Sequence, residues 1–156
     1  MIETRQLHGE TRERVLRLIA GPMAHGFLAG VKASAAKIAP ATAHAEFALV
    51  QAGNGAVFVI PLMNLPRFQA RYSDTSNETA GITAVEVGIL ASLVGLEMCA
   101  KELSYRSETK AAESANRHHT LLLEYLHTDG GYLDTLTGDN RTEFLLHLNR
   151  YGDHMN

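Results

Sequence analysis

Apolar residues recur along this chain first at helical spacing, then at strand spacing, then at helical spacing again. Residues 11–20 set Val15, Leu16, Leu18 and Ile19 among Arg12, Glu13, Arg14 and Arg17, which predicts a short amphipathic helix. Gly21-Pro22 stops it, and Pro22 suits the first turn of a second helix over residues 22–39, with Phe27, Val31, Ala35 and Ile38 on one side. Pro40 closes that helix, because the residue before a proline is pushed out of helical backbone.

The period then shortens. Residues 45–51 and 56–62 flank Ala52-Gly53-Asn54-Gly55, and glycine and asparagine tolerate the positive φ of tight turns, so this stretch predicts a β-hairpin. Val57-Phe58-Val59-Ile60 is apolar at successive positions, which implies a strand covered on both faces. After Pro66, residues 67–72 alternate Phe68, Ala70 and Tyr72 with Arg67, Gln69 and Arg71 and predict a further short strand with one wet face.

Ser73-Asp74-Thr75-Ser76-Asn77-Glu78 is the strongest helix-start signal, with Thr75 and Ser76 both open as the capping residue. Residues 80–101 then predict a helix apolar almost all round, whose polar strip is confined to Thr83, Glu86, Glu97 and Lys101. Gly81, Gly88 and Gly95 recur every seven residues on it. Each costs about 1 kcal/mol of helix stability relative to alanine. Another element packed closely against that sector would offset the cost. Residues 108–128 form a last long amphipathic pattern broken at Gly130-Gly131; residues 132–136 are ambiguous, and Gly138 with Asp139 or Asn140 opens a terminal helix holding Phe144, Leu145 and Leu148. The expected class is α+β, a small antiparallel sheet of three to four strands among about five helices, one of them central and nearly all-apolar. The 156 residues suit one hydrophobic core and hence a single domain, with residues 152–156 frayed.

Charge narrows the possible roles. The formal net charge is −3, divided as +2 over residues 1–78 and −5 over residues 79–156. That is too little positive charge to hold a polyanion and too little negative charge for a surface that imitates DNA. The lone Cys99 excludes a disulfide framework and a CxxC pair. Polar residues 1–10 do not form a signal peptide, and Glu86 and Glu97 would be costly in hydrocarbon, so no membrane contact and a cytoplasmic location are expected. Whether the chain is a monomer or a homodimer is open.

Candidate chemistry is thin. His118 and His119 are adjacent and diverge by about 100° on a helix, unlike histidines four residues apart that grip a metal. His44 and Glu46 can share a strand face but lack a third ligand. Glu86 and Glu97 stand three turns apart, too far to act as a carboxylate pair, and Glu97 is placed to pair with Lys101. Cys99 has no neighbouring base, and the glycine turn lacks the lysine of a phosphate loop. Arg12, Arg14 and Arg17 cluster on the first helix, and Arg67 and Arg71 on a strand face, without the stacking or base-reading residues of a nucleic-acid surface. No catalytic residue, cofactor or metal is expected. The residual enzymatic alternative is a small-molecule site near Glu86, His44 and His118; a structural or adaptor role with another partner is the third class.

Three segments in order carry a family resemblance: Arg14-Val15-Leu16 leading through Gly21; the hairpin Gly53-Asn54-Gly55-Ala56-Val57-Phe58-Val59-Ile60-Pro61; and Ser76-Asn77-Glu78-Thr79-Ala80-Gly81-Ile82 before the apolar helix. The second is similar to a segment of the form N-G-G-F-Y-M-A-P and the third to S-A-D-A-A-G-I of the ArdB/KlcA antirestriction family. The chain departs from that family at Ala43-His44-Ala45-Glu46-Phe47, where a G-G-Y-W stretch is usual, and contains no Trp. The resemblance implies a small α+β cytoplasmic protein, carried by plasmids or other mobile elements, that protects incoming DNA by inhibiting type I restriction enzymes without catalysis. It also implies a type I restriction-modification complex as partner, no direct DNA binding, and Ser76, Glu78, Ala80, Gly81 and Ile82 as the family-pattern or partner-contact residues.

Overall fold

The hairpin forms where glycine and asparagine place it. β2 (Glu46–Ala52) and β3 (Val57–Leu62) pair antiparallel, Leu49 opposite Val59 and Val50 opposite Phe58. Gly55 takes φ +94° at the turn, while Asn54 Oδ1 accepts the Ala56 N–H at 3.0 Å and Asn54 Nδ2 donates to the Leu121 carbonyl at 3.1 Å. β1 (Thr4–Leu7) adds on the other side of β2, so the sheet order is β1-β2-β3 and all pairings are antiparallel. The computed structural model describes residues 2–70 and 81–154.

Helices enclose this sheet. α1 (Gly9–Ala20) and α2 (Ala24–Ile38) follow β1, separated by a 3-10 turn at Gly21–Met23. α3 (Ala84–Tyr105) and α4 (Thr109–His127) follow the sheet, and a 3-10 turn at Leu133–Thr135 leads into α5 (Gly138–His154). α3 lies against β3 with α2 and α4 beside it, and α1 packs on α4. Phe58 of β3 stacks on Tyr125 of α4, ring centroids 5.7 Å apart. Val57, Phe58 and Val59 are all buried, as expected of a strand covered on both faces.

The contact between α3 and β3 is made through backbone rather than large side chains. β3 is an edge strand, and its Val59 N–H, turned away from β2, donates to Ser92 Oγ of α3 at 3.0 Å. One turn earlier, a Cβ on Gly88 would collide with the Val59 carbonyl oxygen and stand 2.7 Å from the carbonyl carbon. Gly95 repeats the device against α2, where a Cβ would stand 2.5 Å from Cγ2 of Val31. Close packing on the glycine sector is therefore present at Gly88 and Gly95, but against two different elements. Gly81 is not in the helix; it packs against Arg67, whose Cβ would lie 2.9 Å from a Cβ at position 81.

Three expectations need correction. A central helix apolar nearly all round over residues 80–101 is not what forms: α3 starts at Ala84, after Ile82 and the cap Thr83, and runs on through Lys101, Glu102, Ser104 and Tyr105. The four residues gained at the end include Glu102, Ser104 and Tyr105, the last 88% exposed, and within the expected range Met98, placed among the apolar positions, is 53% exposed. Among the described residues, no helix is long and apolar enough to cross a membrane. Second, the cap is Thr83, not Thr75 or Ser76: Thr83 Oγ1 accepts the Glu86 N–H and Glu86 Oε1 accepts the Thr83 N–H, each at 3.2 Å. The expected start signal at Ser73–Glu78 lies outside the described residues. Third, the fourth strand over residues 67–72 reduces, within the described part, to a bridge in which Phe68 and Ile82 exchange backbone hydrogen bonds of 2.7 and 2.9 Å. β1 takes the third place in the sheet although it was not predicted, because Leu7 is its only buried residue and pairing with β2, not pattern, makes it a strand.

The seam can be tested by adding one methyl group at two glycines. Gly88→Ala must push α3 off β3 and should destabilise the fold by about 2 kcal/mol or more despite the gain in helix propensity. Gly30→Ala in α2, where a Cβ meets nothing within 4 Å, should stabilise it by about 0.5–1 kcal/mol. Urea denaturation of the two variants checks the opposite signs.

Candidate functional site

Of the five family-pattern residues, Ser76, Glu78 and Ala80 lie outside the described residues. Gly81 and Ile82 are described, and both belong to a polar junction at the start of α3. Ile82 is fully buried and bridged to Phe68, which sets Arg67 beside Gly81. Arg67 Nη1 donates to the Gly81 carbonyl and Nη2 to Asn140 Oδ1, both at 2.7 Å, and Nη1 stands 3.7 Å from Glu143 Oε2. The arginine thus ties the segment before α3 to α5. Two of its N–H groups are thereby engaged with protein oxygens.

Glu86 makes the buried half of this junction. It is 2% exposed, and besides capping α3 it accepts a 2.8 Å hydrogen bond from the Tyr132 hydroxyl through Oε2. Tyr132 arrives there because the chain doubles back after α4: the Tyr132 N–H donates to the Tyr125 carbonyl and the Gly131 N–H to the Thr128 carbonyl, each at 2.9 Å. A side chain at Gly131 would collide with the Tyr125 carbonyl oxygen. The Tyr132 ring meets Phe144 of α5 edge-on, 5.4 Å between centroids. Burial, and then the Glu86 carboxylate beside it, push the Tyr132 phenol well above its ordinary value.

The polar groups of this arrangement are occupied with one another. Glu86 has its oxygens engaged by Thr83 and Tyr132, and a neutral phenol so strongly favoured is no base or nucleophile. The alternative site joining Glu86, His44 and His118 is not assembled. His44 is exposed, and His118 is buried on α4 with Nδ1 donating to the Ser114 carbonyl at 2.8 Å. Burial lowers the pKa of His118, with Arg117 acting in the same sense and the Ser114 bond opposing; burial also lowers that of His119, against the opposing charge of Glu97. Cys99 is buried, which pushes its thiol up and away from the reactive thiolate. Among the described residues no three His, Cys, Asp or Glu converge to hold a metal ion. Glu97 pairs with Lys101 at 3.3 Å, as its spacing predicts.

What sequence reasoning missed is the role of Tyr132 and the part that Arg67, Thr83 and Asn140 play at this junction. Thr83-Ala84-Val85-Glu86 carries a capping-box pattern that could have been found. Glu86 lies 46 residues from Tyr132 and Asn140 lies 73 from Arg67 along the chain, so these pairings leave no local signal.

Neither a family model nor a curated protein matches this sequence. A solved structure of the KlcA and ArdB proteins does match, with a TM-score of 0.68 over 94% of this chain and 94% of that one, at 16% identity. This chain has the KlcA/ArdB fold. That structure is described as a novel fold with antirestriction activity against Type I DNA restriction systems in vivo but not in vitro. The match runs over almost the whole of both chains rather than over a shared fragment.

Tyr132→Phe leaves a buried carboxylate oxygen without its donor and should cost about 1–3 kcal/mol. Because the folded-state pKa of Tyr132 is raised, its contribution is complete below the unfolded value, about 10, and is lost as pH rises above it. Chemical denaturation at pH 7 and 10.5 should therefore show a shallower alkaline loss in Tyr132→Phe than in the parent. On the acid side, His118 is held neutral, so the stability it contributes is present above about pH 6.5 and declines as the pH falls below that. The urea midpoint should drop between pH 7.5 and 5.5, and less so in His118→Gln.

Proposed function

We propose that this chain is an antirestriction protein: a non-enzymatic inhibitor of type I restriction enzymes that protects unmodified mobile-element DNA in the cytoplasm through protein–protein contact. The observation that carries the reading is the agreement of backbone over 94% of both chains with the KlcA/ArdB structure. The three sequence segments that resemble the same family, found from residues alone, support it independently.

Contact with the enzyme is favoured over imitation of its substrate because a net charge of −3 over 156 residues cannot present the dense phosphate-like field of duplex DNA. It is favoured over catalysis because the polar groups at the start of α3 are engaged with one another. Ser76, Glu78, Ala80 and Gly81 are the proposed partner-contact residues on the family pattern, with the buried Ile82 anchoring the segment, and a type I restriction-modification complex is the proposed partner. The activity of the KlcA and ArdB proteins in vivo but not in vitro sets the conditions of the test.

Unmodified phage should plate more efficiently, by about tenfold or more, on a type I restricting strain that expresses this chain than on the same strain without it. Plating on a restriction-deficient strain is the control. Equal restriction with and without the chain across several type I systems would sink the reading and leave an adaptor role with another partner.

A further inference from the structure

The two edges of the sheet are treated differently. On β3 the edge is covered at Val59, which donates its outward N–H to Ser92 and whose carbonyl lies over Gly88. On β1 it is open. The Gly53 N–H donates to the Glu3 carbonyl at 2.9 Å, which fixes the parity: Glu3, Arg5 and Leu7 turn their backbone groups toward β2, and Thr4 and Gln6 turn theirs away. Among the described residues no backbone group faces the outward N–H and C=O of Thr4 or Gln6, and Thr4, Arg5 and Gln6 are exposed. The open stretch is bounded on one side, where the Ile2 N–H donates to the Gly130 carbonyl at 2.7 Å, and on the other by His8, whose carbonyl accepts from Arg12 in the first turn of α1.

We propose that β1 is a docking edge that receives an extended segment of a partner protein as a fourth strand, with an acidic side chain opposite Arg5. Two donors and two acceptors at strand spacing are matched by another extended backbone and by little else. Arg5 supplies the side-chain preference. Its Nη2 donates to Gln51 Oε1 at 3.0 Å, which leaves other guanidinium N–H groups free to reach across to a new strand. No ion pair involves Arg5 among the described residues, so a partner carboxylate is uncontested.

A second copy of this chain is a worse occupant. An antiparallel copy that uses both Thr4 and Gln6 sets Arg5 directly opposite Arg5, and like charges so placed are destabilising. Sliding the copy to set its Glu3 against Arg5 carries its strand into the turn at Gly130, which already sits outside Ile2. The inference does not rest on the antirestriction reading, because the edge is open whichever protein supplies the strand.

The test uses the full chain, labelled with ¹⁵N, and the peptide acetyl-Thr-Val-Glu-Val-Thr-amide as probe. The Thr4 and Gln6 amides should shift in a saturable way, and their hydrogen exchange should slow by at least about tenfold, while the Arg5 and Leu7 amides, already in the β1–β2 ladder, change little. Gln6→Pro removes an outward donor and no ladder bond, so it should keep the thermal midpoint of the parent and weaken peptide binding at least about tenfold. Arg5→Glu carries the same test without touching the backbone: it should reverse the preference toward acetyl-Thr-Val-Lys-Val-Thr-amide. Absence of saturable shifts at Thr4 and Gln6 up to about 5 mM peptide, a range that reaches past millimolar affinity, overturns the proposal. So does equal binding of the glutamate and lysine peptides by the parent chain, or a dimer formed through this edge that the peptide does not dissociate.

Discussion

The fold depends on how closely the backbone of α3 can approach the backbone of β3. Val59 sits on an edge strand, and its outward N–H and C=O are buried among apolar neighbours. A buried donor without a partner costs about 1–3 kcal/mol, and water is shut out here, so the helix itself must supply the partner. Ser92 supplies it, and Gly88, one turn earlier, removes the side chain that would hold the helix away. Once α3 is seated at this distance, α2 is drawn against it at Gly95 and α4 closes over Phe58. The two glycines that weaken α3 as an isolated helix are therefore what let it pack closely against β3 and α2.

How much of this was legible in the sequence follows from the range over which each signal acts. The hairpin was legible because its determinants, Asn54 and Gly55, are local to the turn they form. The close packing at Gly88 and Gly95 was legible as a demand, since mid-helix glycine needs a reason, but the elements that meet it were not. β1 was invisible because Thr4, Arg5 and Gln6 have neither apolar alternation nor β-branched density and are held as a strand by β2 alone. The start of α3 was misplaced because two capping signals occur within ten residues, and the apolar Ala80, Gly81 and Ile82 made the earlier one attractive. Ile82 is buried by a β-bridge instead, which a reading of helical spacing cannot separate from burial on a helix face.

The junction at the start of α3 shows why a candidate site was hard to find from residue types. Glu86 looks like a functional carboxylate when read alone, a charged group in an apolar run. In place, it does two structural tasks at once: its backbone and one oxygen complete the cap with Thr83, and its other oxygen holds Tyr132. A carboxylate used in this way is satisfied by short-range donors, so its burial carries no implication of catalysis. Arg67 repeats the logic at the surface, bridging Gly81 to Asn140 and Glu143 of α5. The terminal helix is thereby attached to the front of α3 by polar contacts and one aromatic pair.

This division of labour also accounts for a backbone that matches the KlcA/ArdB fold at 16% identity. What the seam requires is small volume at two helical positions and a donor-accepting oxygen at a third. What the sheet requires is a covered strand and a tight turn, here Gly53-Asn54-Gly55 between the paired Ala52 and Ala56. Each requirement names a property that several residue types can meet, so a chain can change most of its residues and keep the geometry. Function does not follow by the same route, because recognition depends on the particular side chains a surface presents. On this fold the surface free to change includes the exposed strip of α3, around Met98 and Tyr105, and the outer edge of β1, since neither takes part in the seam. A scaffold that covers one sheet edge with α3 and leaves the other open keeps its stability and its capacity for contact on opposite sides of the same three strands.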